Sequence, residues 1–148
     1  MSDITFQKAT IADADTFIEL EKKVMGVKMY SGITDKDEAR SEIKNNEVYF
    51  IKKDSKIIGS TEYQIKSPGH AYMGGLVIDP SFQGQGIARK AIEFRLDKLK
   101  DMKRIDLVTH PHNSKIIRMY LSYGFIIEAW EDNYYGDGEP RLVLGLIR

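Results

Sequence analysis

The chain has 148 residues, of which 42% are hydrophobic and 30% are charged, a mixture typical of one globular domain with its own core. Its 22 basic and 22 acidic residues balance, which argues against nucleic acid or an anionic membrane as a partner. The absence of cysteine excludes disulfides, thiolate metal sites and a cysteine nucleophile.

The N-terminal segment predicts a first strand. It lacks the basic and apolar regions of a signal peptide, and no apolar run in the chain approaches the ~18 residues that span a bilayer. We therefore expect a cytoplasmic protein. Ile4 and Phe6 alternate with polar neighbours and predict a strand over residues 3–9.

Two helices are expected next. A threonine followed three residues later by an aspartate resembles the capping box that opens a helix, and it occurs twice, as Thr10 with Asp13 and as Thr34 with Asp37. Apolar residues at helical spacing extend the first helix to Met25, and the second is expected to end near Asn45. Residues 26–32 between them are interpreted as a connecting loop.

The middle of the chain predicts three strands joined by tight turns. Apolar runs over residues 48–51 and 57–65 flank Asp54-Ser55 and indicate a β-hairpin. Ser67-Pro68-Gly69 is a second turn, and the third strand is expected over residues 71–78.

A pair of glycines, Gly74 and Gly75, interrupts that third strand. Glycine weakens a strand and often marks a bulge, which here would separate the strand from its neighbour and open a slot in the sheet. Alternatively, the pair makes room for a large side chain across the sheet. The sequence leaves both interpretations open.

The C-terminal half predicts two helices and three strands. The expected ranges are a helix over 86–101, a strand over 105–109, a helix over 113–123, and strands over 125–130 and 142–146. The complete order is β-αα-βββ-α-β-α-ββ, an α/β fold with a mixed sheet and helices on both faces. No linker divides residues 1–148, so we expect a single domain, as a monomer or homodimer.

The segment from Asp79 to Lys90 connects the third strand of the middle region to a helix. A helix N-terminus presents unpaired N–H groups and partial positive charge, which suit a phosphate or pyrophosphate. Gly84 and Gly86 lack a Cβ and would let an anion approach the main chain, while Arg89 and Lys90 can add charge. The alternative is an ordinary strand-to-helix turn. A dinucleotide-binding fingerprint is disfavoured because Arg89 stands where a third glycine is required.

The same segment resembles a known family. Gln83-Gly84-Gln85-Gly86-Ile87-Ala88 fits the Gln/Arg-x-x-Gly-x-Gly/Ala signature of the GNAT superfamily of acetyl-CoA-dependent N-acetyltransferases. The preceding Asp79-Pro80 and the downstream Asn113…Tyr120…Gly124-Phe125 are similar as well, in order over nearly the whole chain. The resemblance implies a mostly antiparallel sheet splayed in the middle, acetyl-CoA as cosubstrate, no metal, and direct transfer of an acetyl group to a primary amine.

The resemblance also implies roles for individual residues. The backbone of Leu76, Val77 and Ile78 is expected to hold the pantetheine arm as though it were an added strand. The pyrophosphate would lie on the loop formed by Gln83, Gly84, Gln85, Gly86, Ile87, Ala88 and Arg89. Asn113 matches the asparagine with which the family contacts the coenzyme.

Tyr120 is the candidate general acid. It lies two helical turns after Asn113, so both residues share one helix face, about 10 Å apart along the axis. A tyrosine is protonated at neutral pH and can give its proton to a leaving thiolate. From the residues alone, the favoured interpretation of Tyr120 is a core tyrosine beside Ile116, Ile117 and Leu121. The resemblance favours the acid, because family members commonly use a tyrosine at this position.

The sequence assigns no general base. Some family members carry a glutamate five residues before the helix-opening asparagine, and Val108 occupies that position here. Glu62, His110 and Glu128 are the candidates, acting directly or through water. His110 and His112, with a proline between them, form a metal-like grouping with His70, but it lacks a clear third ligand and is interpreted as a loop feature.

Only the last hairpin gives an indication of the amine that would accept the acetyl group. Tyr134 and Tyr135 resemble the tyrosine pair of protein N-terminal acetyltransferases, including the ribosomal-protein branch, but Glu131-Asp132-Asn133 precedes them where that branch often has an arginine. Acidic residues over 128–139 would favour a cationic amine. The hypotheses are a protein or peptide α-amine, a small-molecule amine such as a polyamine or amino sugar, and a non-catalytic acetyl-CoA sensor.

Overall fold

A computed structural model describes residues 3–24, 33 and 35–148. Within these residues the chain forms seven strands and four α-helices, in an order that confirms the predicted one. The elements are β1 (Ile4–Lys8), α1 (Ala14–Lys22), α2 (Lys36–Asn45), β2 (Glu47–Lys53), β3 (Lys56–Ser67), β4 (His70–Ile78), α3 (Ile87–Lys98), β5 (Arg104–Thr109), α4 (Ser114–Ser122), β6 (Ile126–Glu131) and β7 (Arg141–Ile147). None of the helices in this part of the chain is long and apolar enough to cross a membrane.

The strands form one sheet in the order β1-β2-β3-β4-β5-β7-β6. All neighbouring strands pair antiparallel except β4 and β5, which are parallel. The mixed, mostly antiparallel α/β architecture is therefore as expected. The parallel pair lies in the middle of the sheet, and its ladder stops where β4 reaches Met73 and β5 reaches Leu107. Beyond that point the two strands separate.

The separation begins at a β-bulge. Thr61 of β3 faces Leu76 of β4, and Tyr63 faces Met73, so Glu62 alone stands opposite both Gly74 and Gly75. The second interpretation of the glycine pair also holds, because a Cβ on Gly74 would lie 2.7 Å from the Glu62 carboxylate oxygen Oε1. The missing side chain at Gly74 thus leaves room for Glu62.

Helices cover both faces of the sheet, as predicted. Val48 and Phe50 of β2 belong to a buried cluster with residues of α1 and α2. Tyr63 of β3 lies in a second buried cluster, together with Ile92 of α3 and Tyr120 of α4. Because alternate residues of a strand point to opposite faces, Glu62 points to the face of α1 and α2.

The helix ends differ from the prediction in detail. The first helix opens with a 3₁₀ turn, and Asp13 Oδ2 accepts the Thr10 N–H at 2.8 Å, as the capping box predicted. Met25, residues 26–32 and Thr34 lie outside the described residues. The N-cap of α2 is Asp35, whose carboxylate accepts the Glu38 N–H at 3.0 Å, so the Thr34–Asp37 prediction was one residue early.

The remaining helix boundaries follow from their caps. α3 ends at Lys98, three residues earlier than predicted, with Leu99 as its C-cap. α4 ends as predicted before Gly124, whose φ of +99° favours glycine. The N–H groups of Gly124 and Phe125 bond the carbonyls of Leu121 and Tyr120, which closes the end of the helix.

Candidate active site

A cavity of about 520 Å³ opens where β4 and β5 separate, a size common for ligand sites. Four parts of the fold form one side of this cavity: β4, the end of β5, the glycine loop with the start of α3, and α4. The residues that these parts contribute include Gly74, Gly75, Leu76, Val77, Ile78, Gln83, Gly84, Gly86, Ile87, Ala88, Leu107, Val108, Thr109, His110, Asn113, Lys115, Ile116, Met119 and Tyr120.

The main-chain edge of β4 faces this cavity. Leu76, Val77 and Ile78 pair with β3 on one side, whereas the ladder to β5 ends earlier, at Met73. Their second edge therefore offers backbone N–H and C=O groups to a ligand, which is the arrangement that accepts an added strand.

The glycine loop is fixed at its base by Asp79. The Asp79 carboxylate accepts the Ser81 N–H at 3.0 Å and pairs with Lys23 of the α1 end at 2.7 Å. The bond from Lys23 is the main reason that the pKa of Asp79 lies below its usual range. The loop leaves the strand as a 3₁₀ turn over Pro80–Phe82, so its start has a defined direction.

Gly84 and Gly86 give the loop its shape. Their φ angles of +80° and +76° lie in the left-handed region, and no atom lies within 4 Å of a Cβ built on either glycine. Gly86 is the N-cap of α3, so the first N–H groups of that helix have no partner within it. Positive potential and open space therefore coincide beside the cavity.

Two of the residues predicted to hold the pyrophosphate direct their side chains away from the cavity. Gln85 Oε1 accepts a hydrogen bond from Lys53 Nζ at 2.7 Å, and Arg89 Nη1 donates to the Tyr123 hydroxyl at 3.2 Å. Neither residue lines the cavity, whereas Lys115 at the start of α4, which was not predicted as a site residue, does.

Asn113 and Tyr120 both line the cavity from α4. Asn113 is the N-cap, but its side chain makes no capping hydrogen bond. Tyr120 is only 3% exposed, and its ring meets that of Phe125 edge-on with the centroids 5.4 Å apart. Tyr120 is thus at once a packed side chain and a wall of the cavity, so the two interpretations of this residue are compatible.

A buried arginine, missed in the sequence, reaches Tyr120 from α3. Arg95 is fully buried, and its Nη2 donates to the Tyr120 hydroxyl oxygen at 2.9 Å. Its Nη1 donates to the backbone carbonyls of Gly74 at 3.2 Å and Glu62 at 3.4 Å. Helical spacing could have identified Arg95, because it follows Ala91 by one turn and therefore lies on the apolar, inward face of α3.

His110 is held by two hydrogen bonds. Its Nδ1 must be unprotonated, because it accepts the His112 N–H at 3.0 Å. Its Nε2 therefore carries the hydrogen and donates to Glu139 Oε1 at 2.8 Å. Although His110 lines the cavity, neither ring nitrogen is free to take a proton from a substrate.

Glu128 is held in an ion pair. Its carboxylate receives two hydrogen bonds from Arg104, at 2.5 and 3.0 Å, and this pairing lowers the pKa of Glu128. Glu128 does not line the cavity. Its geometry is that of a structural partner and not of a base.

Glu62 has the surroundings of a base. Its side chain lines the cavity and is 9% exposed. Burial, followed by the neighbouring Glu42 and Glu21, raises the pKa of Glu62 well above its usual range, while a hydrogen bond from the Gly75 backbone opposes the shift. Burial likewise raises the pKa of Glu21 to about 7.

The acidic wall of the cavity is formed by α1, α2 and β3. Its members are Glu21, Glu38, Glu42 and Glu62. The acidic residues predicted to attract an amine, over 128–139, do not line the cavity. This wall could not be predicted from the sequence, because its members are far apart in the chain and meet only when both helices pack on β3.

The tyrosine pair is divided between two adjoining spaces. Tyr135 lines the cavity, and Tyr134 lines a neighbouring groove of about 490 Å³. The lining that the groove shares with the cavity includes Glu42, Glu62 and Tyr72, so the two spaces adjoin. Burial and a hydrogen bond with Tyr135 raise the pKa of Tyr72 above its usual range. Among the described residues, no group of three or more histidine and carboxylate side chains is placed to hold a metal ion.

Comparison with known proteins gives a family and a distant relative. A model described as "Acetyltransferase (GNAT) family" matches residues 15–125. N-alpha-acetyltransferase 30 from Saccharomyces cerevisiae is 35% identical over 79 residues, which cover 51% of this chain and 45% of the yeast protein. The match thus spans less than half the length of that relative.

Solved structures share the whole fold. Ribosomal-protein-S18-alanine N-acetyltransferase from Escherichia coli superposes with a TM-score of 0.82 at 21% identity, covering 98% of this chain and 94% of that one. A GNAT family acetyltransferase from Elizabethkingia anophelis with acetyl-CoA bound gives 0.76 at 17% identity, covering 98% of each chain. At these identities the likeness shows the fold alone.

Proposed function

The chain belongs to the GNAT acetyltransferase family, and from that membership we propose that it moves an acetyl group from acetyl-CoA directly to a primary amine in the cavity between β4 and β5. The observation that carries the proposal is the junction of three features in one cavity: the left-handed glycine loop, the unpaired edge of β4, and Tyr120. Acetyl-CoA would supply the activated acetyl thioester.

The residues present fit the coenzyme. The N–H groups at the start of α3, with Gln83, Gly84, Gly86, Ile87 and Ala88 around them, would hold the pyrophosphate. The backbone of Gln85 and Arg89 would complete this loop, although their side chains bond elsewhere. A peptide-like arm would pair with the backbone of Leu76, Val77 and Ile78. The side-chain amide of Asn113, which makes no capping hydrogen bond, would form a hydrogen bond to this arm from α4.

Acid and base would approach the slot from opposite faces of the sheet. Tyr120 lies on the face of α3 and α4, and Glu62 points to the face of α1 and α2. Glu62 takes a proton from the amine as its nitrogen bonds the acetyl carbon, and Tyr120 gives a proton to the departing sulfur. A backbone N–H of the β4 edge would bond the oxygen on which charge develops.

The acceptor we propose is the α-amine of a protein or peptide. The name of the yeast relative describes acetylation at an N-alpha position, and that of the E. coli structure describes acetylation of an alanine of ribosomal protein S18. The groove beside the cavity, with Tyr134 in its wall, offers room for the residues that follow an N-terminus. The acidic wall would attract an ammonium group of either a peptide or a small amine, so polyamines and amino sugars are the second acceptor class.

A panel of amines tests the proposal. Release of coenzyme A from acetyl-CoA would be measured with peptides bearing a free N-terminus, the same peptides blocked at the N-terminus, spermidine and glucosamine. We expect turnover with free peptides and none with blocked ones. Turnover with spermidine alone would replace the peptide assignment, and tight acetyl-CoA binding without turnover of any amine would identify a coenzyme sensor.

A further inference from the structure

We propose that Arg95 is a positioning residue for the acid: its guanidinium holds the Tyr120 phenol so that the hydroxyl proton points into the cavity. The inference rests on the proposed function, and on one hydrogen bond in a fully buried setting, from Arg95 Nη2 to the Tyr120 oxygen at 2.9 Å.

Packing alone gives no reason for an arginine at this position. Arg95 lies on the inward face of α3 with Ala91 and Ile92, and it is 0% exposed. No carboxylate of the described residues pairs with it, and its Nε has no hydrogen-bond partner there. A buried charge without a counterion destabilises a fold, and an apolar side chain would fill the same volume without that cost. The partners that Arg95 does have therefore indicate its role.

The direction of the hydrogen bond follows from the chemistry of the two groups. A guanidinium can only donate, so the Tyr120 oxygen must accept. The phenol proton is then left for another acceptor. Tyr120 lines the cavity, so that acceptor is the group that occupies the cavity.

The same contact serves the step in which the acid acts. The phenol O–H bond breaks, a sulfur–hydrogen bond forms on the leaving thiolate, and the negative charge passes to the Tyr120 oxygen. That oxygen lies 2.9 Å from the Arg95 guanidinium, which stabilises the charge until a proton returns from solvent.

Arg95 also connects the acid to the edge of the slot. Its Nη1 donates to the backbone carbonyls of Gly74 in β4 and Glu62 in β3, which lie opposite each other at the bulge. One planar guanidinium thus fixes the Tyr120 oxygen relative to the strand along which the coenzyme arm would lie.

Steady-state kinetics of Arg95→Met and Arg95→Lys test the proposal, with the acceptor that the wild type uses best. We expect Arg95→Met to lower kcat about a hundredfold, the size of an acid's contribution, while KM and the Kd for coenzyme A stay close to wild type. Arg95→Lys keeps the positive charge and a hydrogen-bond donor but loses the planar fork, so it should recover part of kcat. Arg118→Met is the matched control, because Arg118 is exposed on α4 two residues before Tyr120.

The double variant separates positioning from general stability. If Arg95 acts through Tyr120, Arg95→Met changes kcat little in a Tyr120→Phe background. An equal loss of kcat in both backgrounds, or a KM that rises as much as kcat falls, overturns the proposal. If circular dichroism shows that Arg95→Met does not fold, the same comparison of kcat and KM in the two backgrounds is made with Arg95→Lys. Unchanged kcat in a folded variant refutes the role of Arg95 alone, whereas a wild type without turnover refutes the proposed function and this inference together.

Discussion

The carboxylate of Glu62 occupies the space that a side chain on Gly74 would need. A Cβ on Gly74 would lie 2.7 Å from Glu62 Oε1 and 2.8 Å from Glu62 Cγ. The bulge in β4 and the position of the candidate base are therefore one feature of the fold, since the glycine that permits the bulge also admits the carboxylate.

Gly74→Ala should displace Glu62 and destabilise the protein. Overpacking of a buried site typically costs about 1–3 kcal/mol, and the displaced base should lower kcat. Gly75→Ala is the matched comparison, because a Cβ there meets no atom within 4 Å. Urea unfolding of both variants checks this, and an equal loss of stability in the two would contradict the assigned contact.

Gly86→Glu should abolish coenzyme binding while the protein stays folded. The side chain would carry negative charge to the N–H groups that are proposed to hold the pyrophosphate, in a left-handed conformation that strains it. Gly69→Glu is the control, because Gly69 has a similar φ of +82° but lies in the β3–β4 turn, away from the cavity. Titration calorimetry with coenzyme A should show binding for the control only.

Tyr120→Phe should lower kcat about a hundredfold or more and leave coenzyme affinity nearly unchanged, because the hydroxyl is proposed to act on the leaving sulfur. It should also destabilise the fold by about 1–3 kcal/mol, since Arg95 Nη2 loses its buried acceptor. Tyr123→Phe is the control, because it removes a hydroxyl from the end of the same helix outside the cavity and should leave kcat unchanged. Full activity of Tyr120→Phe would end its assignment as the acid.

Glu62→Gln should remove the part of the rise of kcat/KM with increasing pH that comes from ionisation of the base. A base works only when ionised, and the pKa of Glu62 is raised, so the rise in the wild type should lie at a higher pH than an ordinary glutamate would give. Both enzymes would be assayed with the same amine, so that its own ionisation contributes equally. An identical pH profile in the two enzymes would exclude Glu62 as the base.

Glu21→Gln should stabilise the protein above neutral pH. Burial raises the pKa of Glu21 from 4.5 to about 7, so the folded state holds a proton that the unfolded state has lost, and stability falls as pH rises between these values. The variant should gain about 1–3 kcal/mol over wild type at pH 8 and almost nothing at pH 4.5. Glu19→Gln, exposed on the same helix, should show no such difference in urea unfolding.

The fold could be predicted from the sequence because its signals are local. Alternation of apolar residues, the turn at Ser67-Pro68-Gly69 and the glycine after α4 each act within a few residues, so they determine strands and helix ends without knowledge of packing. The error at the start of α2 is of the same kind, since Thr34 and Asp35 are both good N-caps and only one can be used.

The candidate site could be predicted only in part, for a physical reason. The glycine loop is one continuous segment, and Asn113 and Tyr120 share a helix face, so both appear in the sequence. The contact of Arg95 with Tyr120 depends on how α3 and α4 lie on the sheet, and the acidic wall depends on α1 and α2 reaching β3. Choosing between His110 and Glu62 as base required hydrogen-bond partners that lie far away in the chain.

The early end of the β4–β5 ladder leaves main-chain groups of β4 without a strand partner in the unliganded protein, although Gln83 Nε2 donates to the Ile78 carbonyl at 3.3 Å. A ligand with a peptide-like arm would pair with this edge, so the occupied protein should melt at a higher temperature and exchange the amide hydrogens of Leu76 and Ile78 more slowly, whereas Val77 faces β3. The bound arm would then supply the main-chain hydrogen bonds that β5 does not make to this part of β4.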